Sequence, residues 1–102
     1  MIGEEKMKNS EGNFDDMPVG EIISYEHFLY LLDTGREIEF YFNNKEYFIG
    51  HHKEGRVLWQ KQIQLSDYYN GDNRILLDTF KIESVTLREL INKEHLKIST
   101  VF

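Results

Sequence analysis

The chain has 102 residues, no cysteine and a formal net charge of −6 at neutral pH. That length holds one domain with one modest core, and the lack of cysteine removes disulfide scaffolds, thiolate zinc sites and cysteine nucleophiles together. The acidic balance argues against nucleic acid as a partner, because phosphate-tracking proteins build a basic face. At 40% hydrophobic and 14% aromatic the composition is globular, and no run approaches the roughly 18 apolar residues of a membrane span. Met1-Ile2-Gly3-Glu4-Glu5-Lys6 lacks the apolar stretch of a signal peptide. The expectation is a cytoplasmic protein with neither membrane nor nucleic acid among its partners.

Residues 1–20 read as a flexible leader. Gly3, Asn9, Ser10, Gly12, Asn13 and Gly20 lie among charges, and only Phe14 and Met17 offer an anchor. The other reading of this stretch is an acidic segment (Glu11, Asp15, Asp16) that orders on a partner. Residues 21–102 read as a single α+β domain.

Ser24 stands where a helix N-cap should, its hydroxyl able to accept from the first turn's free N–H groups. His27 occupies the position that a capping box gives to Glu or Gln. Tyr25, Phe28, Leu31 and Leu32 follow at helical spacing, and Gly35 is placed to end the helix in a left-handed conformation. The prediction is a helix over 24–33. A hairpin comes next. Ile38, Phe40 and Phe42 share one strand face and Glu37, Glu39 and Tyr41 the other. Asn43-Asn44, or Asn44-Lys45, supplies a tight turn, since Asn tolerates positive φ. Tyr47, Phe48 and Ile49 form the return strand. Lys53-Glu54-Gly55-Arg56 is a second turn with Gly55 at the left-handed position. Val57-Leu58-Trp59 opens a third strand reaching Gln62 or Leu65.

Residues 66–74 are turn-rich. Ile75-Leu76-Leu77 and Phe80 suggest a fourth strand over 75–80, and Ser84 reads as a second N-cap for a short helix through Leu87, Leu90 and Ile91 to about 92. Leu96, Ile98, Thr100 and Phe102 alternate as a last strand. The expected fold is therefore α+β: an antiparallel sheet of four to five strands with two helices packed on it. Phe40, Phe42, Phe48, Trp59 and Phe80 are its expected core aromatics.

Chemical motifs are sparse. His51-His52 are neighbours on a strand and point to opposite faces, so they cannot jointly chelate. Residues 67–73 lack the alternating oxygen ligands and closing glutamate of a calcium loop. Glycines fall singly, without phosphate-loop spacing, and Ser24, Ser66, Ser84 and Ser99 have no nucleophile-elbow context. Glu37 and Glu39 read as a solvent-facing strand edge before they read as an acid/base pair. No catalytic residue, metal or cofactor is expected.

Tyrosine is an amphipathic anchor enriched at interfaces. Glu37, Glu39, Tyr41, Tyr68 and Tyr69 are accordingly the candidate binding residues, a contact surface for a protein partner.

Ser24-Tyr25-Glu26-His27-Phe28-Leu29, Gly35-Arg36-Glu37-Ile38-Glu39-Phe40 and Asn43-Asn44-Lys45-Glu46-Tyr47-Phe48-Ile49 together resemble a pattern found in small uncharacterised proteins of Gram-positive bacteria. A Trp-containing strand and a late helix over Ser84 to Ile91 complete the resemblance, which covers about residues 22–98. It implies an α+β fold in a bacterial protein and brings no active-site residues.

The leading expectation is a non-enzymatic interaction module of the immunity, antitoxin or phage-inhibitor type. Its alternative is a small-ligand-binding domain or weak enzyme with a pocket between helix 24–33 and the sheet. A third reading is a homo-oligomer joined through the edge strand 96–102.

Overall fold

The computed structural model describes Phe14 and residues 17–102. Glu11, Asp15 and Asp16, the acidic part of the expected leader, lie outside the described residues. The order of elements is α1 (Tyr25–Asp33), β1 (Ile38–Phe42), β2 (Lys45–His52), β3 (Gly55–Gln60), β4 (Ile63–Gln64), α2 (Asn73–Thr79), β5 (Lys81–Ile82), β6 (Val85–Thr86), α3 (Leu87–Asn92) and β7 (Lys97–Val101). The class is α+β. One antiparallel sheet runs β4-β3-β2-β1-β7, and β5 and β6 make a separate hairpin.

Local chemistry explains the first half of the chain. The Ser24 hydroxyl accepts from the His27 N–H at 3.1 Å and starts α1. At the other end Gly35 takes φ +85°. Its N–H donates to Leu32 O, and the Arg36 N–H donates to Leu31 O, the paired bonds of a Schellman ending. Asn43 and Asn44 both have positive φ, as a two-residue primed turn requires, and they set Phe42 opposite Lys45. Ile38 then faces Ile49, and Phe40 faces Tyr47.

The helix-side core follows from that register. Phe28, Leu31 and Leu32 of α1 are buried against Ile38, Phe40, Ile49 and Leu58 of the sheet. Phe40 meets Phe28 edge-on at 6.1 Å and stacks on Tyr47 at 5.7 Å. Each such fully buried side chain contributes about 1.5–3 kcal/mol, and the aromatic pairs add about 0.5–1.5 more. These side chains fill the space between α1 and the sheet.

Three expectations are corrected in the second half. Residues 75–80, expected as a strand, lie in helix α2 and at its C-cap. Asp72 caps that helix, its carboxylate accepting from the Arg74 N–H at 2.8 Å. Leu76, Leu77 and Phe80 bury together at helical spacing. Ser84 is not a cap. It sits with Glu83 at positive φ in the β5–β6 turn, and Thr86 caps α3 by accepting from the Glu89 N–H at 3.2 Å. The Thr86-x-x-Glu89 spacing of a capping box is the signal for that cap. The described residues therefore contain three helices, which pack on one another and share one buried cluster with one face of the sheet.

The last correction concerns the phase of β7. Glu39 pairs with Thr100 but Phe40 pairs with Ile98, so Ser99 is an extra, bulged residue. The bulge turns both Ile98 and Val101 inward and places Phe102 on the face away from the helices. Uninterrupted alternation over 96, 98, 100 and 102 does not occur. The outer edge of β7 is occupied in part: Gly20 donates to Ile98 O at 2.7 Å, and Ile98 donates to Glu21 O at 2.8 Å.

Candidate functional site

The sheet has one face covered by helices and one face open. By register, the open face carries Glu37, Glu39 and Tyr41 from the β1 row and Glu46, Phe48, Gly50 and His52 from β2. Val57 and Trp59 follow from β3. Phe48 and Trp59, expected in the core, are cross-strand neighbours on this open side and only half-buried. The reason is phase, since Tyr47 and Ile49 hold the inward positions of β2.

The open face divides into two ends. At the Gly50 end it is closed. Gly50 leaves room for its neighbours, because a Cβ there would come within 2.9 Å of His52 Nε2. His52 in turn meets Tyr68 edge-on at 5.9 Å. Val57 on this side is fully buried although it lies outside the helix-side core. At the other end the face is hollow. A groove of about 350 Å³ is lined by Glu37, Glu39, Glu46, Phe48, Lys61 and Phe102. Phe102 stands edge-on to Phe48 at 6.0 Å and is 58% exposed. Tyr41, directly opposite Glu46, is 42% exposed beside the groove.

The groove's charges are unevenly matched, with three carboxylates against the single ammonium of Lys61. The Glu37 carboxylate accepts from the backbone N–H of His51 at 2.9 Å and extends the β1–β2 ladder past its end. Among the described residues neither Glu39 nor Glu46 joins an ion pair. Lys45 pairs with Phe42 and so belongs to the helix-side row, and Lys97 stands across from Tyr41, outside the groove lining.

Of the five candidate binding residues, Glu37, Glu39 and Tyr41 come together at the hollow end. Tyr68 lies on the same side at the closed end beside His52, about 20 Å along the strands from Tyr41 but only about 7 Å from the level of Glu37 at the usual rise per residue. Tyr69 is separated from all four. Its backbone N–H and C=O both bond to Arg56 at 2.8 Å, and its ring packs half-buried against the helix-side core. Adjacent tyrosines on an extended segment must split between two faces. Glu46, Phe48 and Phe102 are site residues that sequence reasoning misses. Glu46 and Phe48 lie on the alternation of β2 and are legible once its phase is fixed; Phe102 is not, because the Ser99 bulge decides its side.

Arg56 is the other residue that sequence reasoning misses. Expected in a turn, it is in β3, 5% exposed, with its guanidinium under the C-terminal end of α1. Nη2 donates to Leu32 O at 2.7 Å, and Nη1 donates to Arg36 O at 2.7 Å and more weakly to Gly50 O at 3.4 Å. Burial lowers its pKa from the usual arginine value, while the charges of Glu37 and Asp33 pull it back up. A polar groove of about 280 Å³ lies over it, lined also by Asp33, His51, Asn70 and Asn73. The guanidinium is committed to Leu32 O in the last turn of α1 and to Arg36 O just beyond the helix, so its chemistry there is that of a clamp.

His51 and His52 diverge as expected. The His51 ring nitrogen Nδ1 is 3.1 Å from Gly35 O, and His52 turns to the open side. Among the described residues no three His, Asp or Glu side chains converge as metal ligands. Among them, too, no helix is long and apolar enough to cross a membrane. No protein-family model, curated protein or solved structure matches this chain.

Proposed function

We propose that this protein is a non-enzymatic binding module of the bacterial cytoplasm that holds a partner protein on the hollow end of its open sheet face. One observation carries the reading. The centre of the helix side, Ile38, Phe40, Tyr47, Ile49 and Leu58, is sealed with almost no exposure, while the opposite side leaves Tyr41 and Phe102 exposed and Phe48 and Trp59 only half-buried.

Leaving large aromatic surface hydrated gives up about 25 cal/mol for each Å² that could be buried. Contiguous patches of this kind, rimmed by polar groups, mark interaction surfaces more often than accidents of packing. Tyrosine and phenylalanine at the centre with carboxylates around them match the pattern of an interface anchor with a polar rim. The interior space beside α1 is filled, which favours docking on the outside over a ligand held within.

The test starts with affinity capture using the full chain, followed by titration calorimetry with the partner so identified. Tyr41→Ala and Glu39→Gln are compared with the parent protein, each first checked for unchanged thermal unfolding. A contact at the centre of the interface should raise Kd about tenfold or more on loss of Tyr41. Unchanged affinity in both variants would remove the partner from this face.

A further inference from the structure

We propose that the groove between Phe48 and Phe102 is a receptor for an arginine side chain on a basic segment of the partner protein. This deepens the interaction reading above and rests on it.

The argument begins with the arrangement of the two rings. Phe48 faces Glu39 directly across β1–β2 and Trp59 directly across β2–β3. Phe102 reaches over from beyond β7, held by its backbone N–H to Glu37 O at 2.9 Å, and meets Phe48 edge-on. The rings therefore form an apolar notch, and carboxylates stand on both sides of it: Glu37 and Glu39 along β1, Glu46 two residues before Phe48 on β2. Glu37 is engaged with the His51 N–H, leaving Glu39 and Glu46 without an ion pair among the described residues.

An occupant must satisfy both the apolar walls and the carboxylates. A purely apolar side chain would bring the carboxylates toward low dielectric with no compensating charge, which is costly. A neutral polar group would leave the ring faces poorly used. A guanidinium meets both demands. It is planar and weakly hydrated, stacks on an aromatic face, and presents a fork of donors that matches carboxylate oxygens. An ammonium supplies the charge but is more strongly hydrated and lacks the plane. The excess of carboxylates over the one lining lysine gives the same sign of complementarity.

The experiment uses the full chain labelled with ¹⁵N and titrated with three blocked tripeptides, Gly-Arg-Gly, Gly-Lys-Gly and Gly-citrulline-Gly, read by amide chemical shifts. The arginine peptide should move Glu39, Glu46, Phe48 and Phe102 together and saturate, with the response reduced in 0.5 M salt. The citrulline peptide, of nearly the same shape and uncharged, should not move them. The Glu39→Gln/Glu46→Gln double variant should bind the arginine peptide about fivefold more weakly, the sum expected of two partly exposed charge contacts.

Shifts spread over other acidic surface, no saturable shift, an equal response to citrulline, or an equal affinity for the lysine peptide would each overturn the proposal. Those results separate it from the broader reading. If the tripeptides fail while Tyr41→Ala still abolishes capture of a partner, the face binds protein through a different anchor. If Tyr41→Ala leaves capture intact, the face itself is wrong.

Discussion

Replacing Arg56 with methionine tests the account of how α1 is fastened to the sheet. Methionine keeps most of the side chain's length and apolar stem but removes every donor. Two effects oppose each other. Removing the guanidinium relieves the cost of holding a charge at 5% exposure. It also takes a donor away from each carbonyl oxygen that the guanidinium serves. Replacing a whole buried ionic pair by apolar groups is often neutral, because both partners leave together. Here the acceptors are backbone and stay behind.

The individual losses can be ranked. Leu32 O keeps a second donor, the Gly35 N–H at 3.0 Å, so its share is at the low end, about 1 kcal/mol. The 2.7 Å bond to Arg36 O is charge-assisted and short, and its loss costs about 1–3 kcal/mol. The 3.4 Å contact with Gly50 O adds little. Arg56→Met should therefore destabilise the domain by about 2–4 kcal/mol. That moves the urea midpoint down by about 1–2 M at the slope usual for small domains. Arg56→Lys should recover only part of this, since one ammonium cannot span Leu32 O and Arg36 O as a planar fork does. Equilibrium unfolding followed by circular dichroism and Trp59 fluorescence gives the measurement. A methionine variant within about 0.5 kcal/mol of the parent, or more stable than it, would refute the clamp and show that charge burial dominates.

Gly55→Ala should be severe for a steric reason. Gly55 has φ +128°, and a Cβ there would lie 2.5 Å from Tyr69 O, the acceptor of the Arg56 N–H. A loss of about 2–4 kcal/mol is expected from strain and the broken Arg56–Tyr69 bridge, with early amide exchange at Arg56 and Tyr69; native-like exchange at both would contradict it. The cap of α2 should appear in the acid limb of stability. Contacts with Arg74 hold the Asp72 carboxyl below its usual pKa, so its contribution is complete above about pH 4, the unfolded value, and fades as pH falls through the lowered folded value. Asp72→Asn keeps a capping oxygen but loses the charge. The stability gap between parent and variant should shrink below about pH 4, and a gap constant down to about pH 2 would refute the assignment.

Much of this fold is legible in the sequence because the signals are local. Ser24, Gly35, Asn43 and Asn44 act through their own backbone preferences within a few residues. Their positions predict α1 and the β1–β2 hairpin, with the inward set Ile38 and Phe40 and the outward set Glu37, Glu39 and Tyr41. The same alternation suffices to put three candidate binding residues on one face. Between 66 and 86 the local signals are ambiguous. Ile75-Leu76-Leu77 is an apolar run that suits a strand or a buried helix equally, and only packing of Leu76 and Leu77 beneath α1 and α3 selects the helix.

What the tertiary structure alone decides depends on contacts between distant segments. Strand β7 joins β1 across more than fifty residues, and loop closure over that span leaves no short-range trace. The Ser99 bulge exists because Ile98 and Val101 must both face the core against Phe40 and Ile38. That one extra residue carries Phe102 to the open face and so builds half of the notch. Arg56 is a similar case: a charged residue after a glycine reads as turn, and only the approach of Leu32 O and Arg36 O, at and just past the end of α1, makes a buried guanidinium favourable there. The sequence determined which side chains alternate; long-range pairing determined which of them meet.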